Sequence, residues 1–134
     1  MNLRQSILVR TDLGFGVGLM AAQCAHIHME KFRNVMLNSF SNKEQIQLSP
    51  DMKDWLKSPY VFIHGVPNKE VLDLFVEKAK QLGVDIAEWR DTVFINISDS
   101  QREAFGNVLV GISLGPCESD RVRQVIGDLP LLSR

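Results

Sequence analysis

The residues best suited to chemistry gather near the start of the chain. Thr11-Asp12-Leu13-Gly14-Phe15-Gly16-Val17-Gly18 is a glycine-punctuated loop, set between the apolar run Ser6–Arg10 and a long stretch without Gly or Pro. A loop of this kind that opens a helix can cradle an anion on exposed backbone N–H groups, or be a plain flexible turn. It lacks the Gly-Lys-Ser/Thr ending of a phosphate-binding loop and the six-residue dinucleotide fingerprint. Gln23, Cys24, His26 and His28 follow at once. At about 100° per residue, Leu19, Gln23, His26 and Glu30 form one narrow stripe, with Ala21, Ala25, Phe32 and Met36 on the other side. The stripe faces either a cleft or water. His26 lies on it and is the better candidate for a ligand contact, whereas His28 reads as a core or interface residue with a satisfied nitrogen. The two histidines cannot share a helix face and so do not form a metal pair. Cys24 reads as a small buried hydrophobe with nothing nearby to lower its pKa. No Gly-x-Ser-x-Gly or Ser-His-Asp context supports a serine hydrolase.

The elements that must carry these residues follow from length and pattern. The chain has 134 residues, enough for one domain that buries roughly two-thirds of its unfolded surface. Fifteen Lys and Arg against sixteen Asp and Glu give a net charge of −1, which does not favour strong non-specific binding to polyanions. Cys24 and Cys117 are the only cysteines, so a disulfide scaffold or zinc module is not expected, and a reducing, cytoplasmic setting is. The opening segment is too short for a signal sequence. Leu13–Met29 is broken by Gly14, Gly16, Gln23, His26 and His28, so no membrane span is expected.

Ser6–Arg10 reads as a buried strand, followed by a helix over about 18–38 and a polar loop over Ser39–Ser49. Ser49-Pro50 starts a short helix, as an N-cap with Pro at the first helical position. Tyr60–His64 is the second strand. Asn68 caps a helix that runs to Leu82 and ends at Gly83. Ile86–Ile97 contains the third strand, Val108–Leu114 is the last, closed by Gly115-Pro116, and Arg121–Ile126 forms a final helical turn. Strands and helices alternating in this way predict an α/β fold with helices on both sides of a small sheet.

The run from Arg10 through Asp12, Leu13, Gly18, Ala21-Ala22-Gln23 and His26 resembles the opening motif of the archaeal and eukaryotic type of peptidyl-tRNA hydrolase. The resemblance continues through Tyr60–Pro67, the Glu70–Gly83 helix, Arg90-Asp91, Val110–Pro116 and Ile126–Leu132, covering nearly the whole chain. It implies a three-layer α/β/α domain with a small mixed β-sheet, a homodimer, no cofactor and no metal. It also implies tRNA as a partner and hydrolysis of the ester between peptide and tRNA. The family's catalytic lysine follows the loop's last glycine, and that position is Leu19 here. The family's Asp-Ala-Gly-x-Thr-Gln motif places its aspartate on Asp91 and its threonine on Ile95. A second register would use Asp99-Ser100-Gln101, and extra residues precede Val108.

The resemblance thus implies Asp91 as the catalytic group and Asp12, Gln23, His26 and Gly18 as substrate-binding residues. These should meet at the C-terminal end of the first strand, with the third strand beside the first and Leu19 pointing into the cleft. A basic residue such as Arg90 could stand in for the lost lysine. Two functions stay open: the family's hydrolysis, or a non-catalytic relative that uses the cleft to bind tRNA, a small metabolite or a protein.

Overall fold

The apolar run at the start of the chain extends further back than its pattern suggests, because Leu3 and Arg4 pair with Glu118 and Cys117 near the end of the chain. In the computed structural model, which describes residues 2–42, 45–98 and 100–133, β1 spans Leu3–Arg10 and every residue in it is buried. The next elements are α1 (Val17–Asn42), α2 (Pro50–Lys57), β2 (Val61–Val66) and α3 (Lys69–Leu82). Then come β3 (Ile86–Ser98), β4 (Gln101–Glu118) and α4 (Ser119–Ile126). The sheet order is β2-β1-β4-β3, with β1 parallel to β2 and antiparallel to β4, and β4 antiparallel to β3. The fold is α/β with a mixed four-stranded sheet, as the sequence predicts.

Several boundaries differ for physical reasons. α1 runs on to Asn42, into the segment read as a polar loop, because no Gly or Pro interrupts it before Pro50. β3 and β4 are one long hairpin, and β4 continues through Gly115-Pro116 because Arg4 and Leu3 of β1 pair with Cys117 and Glu118. The third strand does not lie beside the first: β4 stands between them. The caps agree with the sequence. Ser49 accepts the N–H of Met52 at 3.2 Å, Asn68 accepts that of Val71 at 2.9 Å, and Gly83 ends α3 with φ +68°.

Alternation in β1 divides the core. Leu8 faces α3 and α4 with Leu72, Val76, Val122 and Ile126, while Ile7 and Val9 face α1 with Cys24, Ile27, Val93 and Val110. Ile27 is fully buried, a contribution of about 1.5–3 kcal/mol. Gly111 makes this possible, since a Cβ there would collide with Ile27 and the Leu8 carbonyl oxygen. α2 shares the α1 side of the sheet: Trp55 stacks on Phe32 at 5.8 Å and donates its indole N–H to the Tyr60 carbonyl at 2.9 Å.

Candidate functional site

The close seat of α1 over Gly111 brings its Gln23 stripe down onto β3, because Gly111 is the cross-strand partner of Trp89. In a strand, side chains two apart share a face, so Trp89, Asp91 and Val93 all point toward α1. Trp89 donates its indole N–H to Gln23 Oε1 at 2.7 Å. Gln23 Nε2 donates in turn to Asp91 Oδ2 at 3.1 Å. The other carboxylate oxygen of Asp91 accepts the Thr92 N–H at 2.8 Å. The His26 ring lies parallel to Trp89, 4.4 Å between centroids and 9° between planes. Gln23, only 3% exposed, is the hub, while His26 is exposed and Asp91 half-buried.

Three of the expected site residues therefore meet: Gln23 and Asp91 by a direct hydrogen bond, and His26 through Trp89. The route differs from the expected one. Asp91 reaches Gln23 because α1 crosses over β4 to β3, without its strand neighbouring β1. Of the stripe on α1, Gln23 and Glu30 face inward beside Ile27 while Leu19 and His26 are exposed, and Ala21 and Ala25, on the other side, are exposed as well. Asp91 is the aspartate that engages Gln23, and Asp99 lies outside the described residues.

Asp12 is occupied elsewhere. Arg10 Nε and Nη2 donate to its two oxygens at 3.0 and 2.8 Å, and Arg10 Nη1 donates to the Leu109 carbonyl at 3.2 Å. Those hydrogen bonds hold the Asp12 carboxyl below the usual carboxylate range. The pair fastens the start of the glycine loop to β4. Gly18 lies in the first turn of α1, and a Cβ on it would meet open space, so no close approach there requires glycine.

The positive charge expected of the family is not restored by its neighbours. Leu19 sits one helical turn before Gln23, 50% exposed and outside both core clusters. Arg90 does not take the lysine's place, because its guanidinium donates to Glu88 at 3.3 Å and to the Asn107 carbonyl at 3.4 Å. Ile95, at the threonine position, is partly exposed on the β3–β4 arm. Cys24 is buried, and burial pushes its thiol pKa up. His28 donates its Nδ1–H to Gln5 Oε1 at 2.6 Å, away from Asp91. Among the described residues no group of three or more His, Cys, Asp or Glu side chains could hold a metal ion.

Trp89 is the site residue that the reading of the sequence missed. The signal was present: it lies two residues before Asp91 in a β-rich run, hence on the same face. What the sequence lacked was any sign that this face met Gln23.

Comparison with known proteins gives the family of the chain. The family profile of peptidyl-tRNA hydrolase PTH2 matches residues 3–132. Peptidyl-tRNA hydrolase 2 of Saccharomyces cerevisiae is 30% identical over 132 residues, covering 97% of this chain and 58% of its own length. The mitochondrial peptidyl-tRNA hydrolase 2 of Homo sapiens is 27% identical over 128 residues, covering 93% and 62%. The peptidyl-tRNA hydrolase of Sulfurisphaera tokodaii is 28% identical over 134 residues, covering 98% and 100%. The chain thus spans about 60% of the length of these two eukaryotic relatives and all of the archaeal one. The profile spans nearly the whole chain, and this chain belongs to the peptidyl-tRNA hydrolase PTH2 family.

Proposed function

We propose that the chain hydrolyses the ester linking a peptide to tRNA, slowly, with Asp91 as the group that holds and activates water. The observation that carries this reading is the Gln23–Asp91 hydrogen bond of 3.1 Å, which fixes a half-buried carboxylate against the second turn of α1. A carboxylate with one donor on each oxygen keeps further lone pairs for a water. Asp91 takes a proton as the water oxygen bonds to the ester carbonyl carbon. Collapse of the resulting oxyanion breaks the C–O bond to tRNA, whose oxygen leaves with that proton as a hydroxyl. With leucine at position 19, no lysine charge meets the oxyanion, and loss of one such contact costs about 100- to 1,000-fold in rate. His26 and Gly18 belong to the substrate-binding edge in this reading, Gln23, expected there too, is buried and acts through Asp91, and Asp12 supports the edge by anchoring the loop.

A second reading, a non-catalytic binder of tRNA, a metabolite or a protein in the same cleft, is favoured by one observation. Arg10 and Arg90, the arginines adjoining Asp12 and Asp91 in sequence, are both engaged with other groups. The test is release of N-acetylaminoacyl groups from tRNA by wild type and Asp91→Asn, with tRNA binding measured in parallel. A wild-type rate at least 100-fold above Asp91→Asn, with equal binding, supports hydrolysis. Equal rates with intact binding favour the second reading.

Assembly belongs to the same proposal. α1 and the β1–β2 side of the sheet border an apolar groove of about 930 Å³, lined by Val17, Met20, Ala21, Ala25, Val61 and Ile63 among others. Val17 is 88% exposed. Apolar surface gathered in this way marks an interaction face, and a second copy of the chain is the proposed cover. No helix among the described residues is long and apolar enough to cross a membrane, and the proposed place of action is the cytoplasm.

A further inference from the structure

We propose that Trp89 is a positioning residue, whose indole fixes the Gln23 amide so that the N–H end of Gln23, and never its carbonyl, faces Asp91. The inference rests on the reading of Asp91 as the reacting carboxylate. An indole nitrogen donates and cannot accept. With Trp89 Nε1 2.7 Å from Gln23 Oε1, the carbonyl end of that amide is committed to the indole. Turning the amide over would set its NH₂ against the indole N–H, and its oxygen against an Asp91 oxygen now 3.1 Å from the Gln23 nitrogen. Both hydrogen bonds would be lost together at a buried side chain, where water is a poor substitute.

The amide is therefore locked, and Asp91 receives one donor from α1 and one from its own strand, the Thr92 N–H. Two elements then set the plane of the carboxylate. His26, parallel to the indole at 4.4 Å, covers one face of Trp89 and restrains its ring. Gly111 opposite Trp89 lets α1 approach closely enough for the chain of bonds to form. In a site with leucine at position 19, this relay is the means by which the fold aims its carboxylate.

Trp89→Phe keeps an aromatic ring under His26 and removes the N–H. Two readouts on the full chain test the proposal. In ¹H–¹⁵N spectra, the wild-type Trp89 indole N–H should exchange slowly with solvent. Gln23→Leu should shift its resonance and speed exchange at least tenfold, while the Trp55 indole, bonded to Tyr60, stays unchanged as the control. In hydrolysis of N-acetylaminoacyl-tRNA, Trp89→Phe should lower kcat roughly tenfold, the scale of one net hydrogen bond, with KM within twofold.

The double variant Trp89→Phe/Gln23→Leu should be no slower than Gln23→Leu alone, since the indole acts through the amide. A purely structural Trp89 would instead give rate losses that multiply, and that result overturns the proposal. An indole N–H that exchanges freely or ignores Gln23→Leu overturns it as well. If the wild type hydrolyses nothing, the reaction reading fails. The exchange measurement then still decides the relay, a protected and Gln23-dependent indole supporting it.

Discussion

Along α1, the side bearing Gln23, Ile27 and Glu30 is buried, and it meets β3 and β4 through Trp89, Asp91 and Gly111. The side bearing Val17, Ala21 and Ala25 borders an open apolar groove over β1 and β2. The inner side is mixed: Cys24 and Ile27 pack into the core as on an ordinary surface helix, while Gln23 and Glu30 are buried beside them. Polar residues are held inside because each has a partner: Gln23 makes two hydrogen bonds and Glu30 pairs with Arg33 at 3.1 Å. The small apolar residues outside have no such partner in the isolated chain. The buried polar residues carry the proposed site, and the exposed apolar ones carry the proposed contact with a second copy.

The strongest way to break the inner side is through the sheet beneath it. Gly111→Ala should destabilise the fold by about 3 kcal/mol, because the new methyl meets backbone at Leu8 and cannot be relieved by a rotamer change alone. Urea unfolding measures this, and a loss below 1 kcal/mol would show that α1 is not seated as described. The outer side should respond differently. Ala25→Arg should leave folding stability within about 0.5 kcal/mol while converting a dimer to a monomer in light scattering. A wild-type particle of 15.1 kDa at high concentration would remove the proposed role of this face.

A smaller effect separates the sides by pH. His28 lines the groove, and burial lowers its pKa, as it does for His64 on the opposite face of the sheet. His64 is held neutral, donating Nδ1–H to the Leu129 carbonyl at 3.0 Å, with Nε2 3.4 Å from the Ser6 hydroxyl. Both folded pKa values lie below the unfolded one, so the unfolded chain takes up protons first. The stability they contribute is present above about pH 6.5 and lost as pH falls below it. Thermal melts at pH 7.5 and 5.5 should differ, and His28→Gln and His64→Gln should each shrink the difference. A melting temperature insensitive to pH in the wild type would contradict this assignment.

Much of this was legible in the sequence. Ser49, Asn68 and Gly83 mark helix ends by local backbone chemistry, and each caps as expected. Gln23, His26 and Asp91 were legible as candidates through the resemblance. Non-local facts were not. The order β2-β1-β4-β3 depends on which strand edges meet, and β4 reads as 108–114 because Gly115-Pro116 looks like a stop, although burial runs on to Cys117. Its exposed half, Gln101–Asn107, is held by pairing with β3 and carries no apolar pattern of its own. The burial of the Gln23 stripe likewise depends on Gly111, nearly ninety residues away, and helical periodicity cannot see across that distance.

The central claim is that Asp91, aimed by α1, is the reaction centre of a hydrolase that works without a charge at position 19. The most direct test is the rate of peptidyl-tRNA hydrolysis by wild type and Leu19→Lys under identical conditions. The account predicts slow wild-type hydrolysis and an increase of about 100-fold or more in Leu19→Lys, eliminated in both when Asp91→Asn is added. No hydrolysis by either protein, with both folded and binding tRNA, would contradict it.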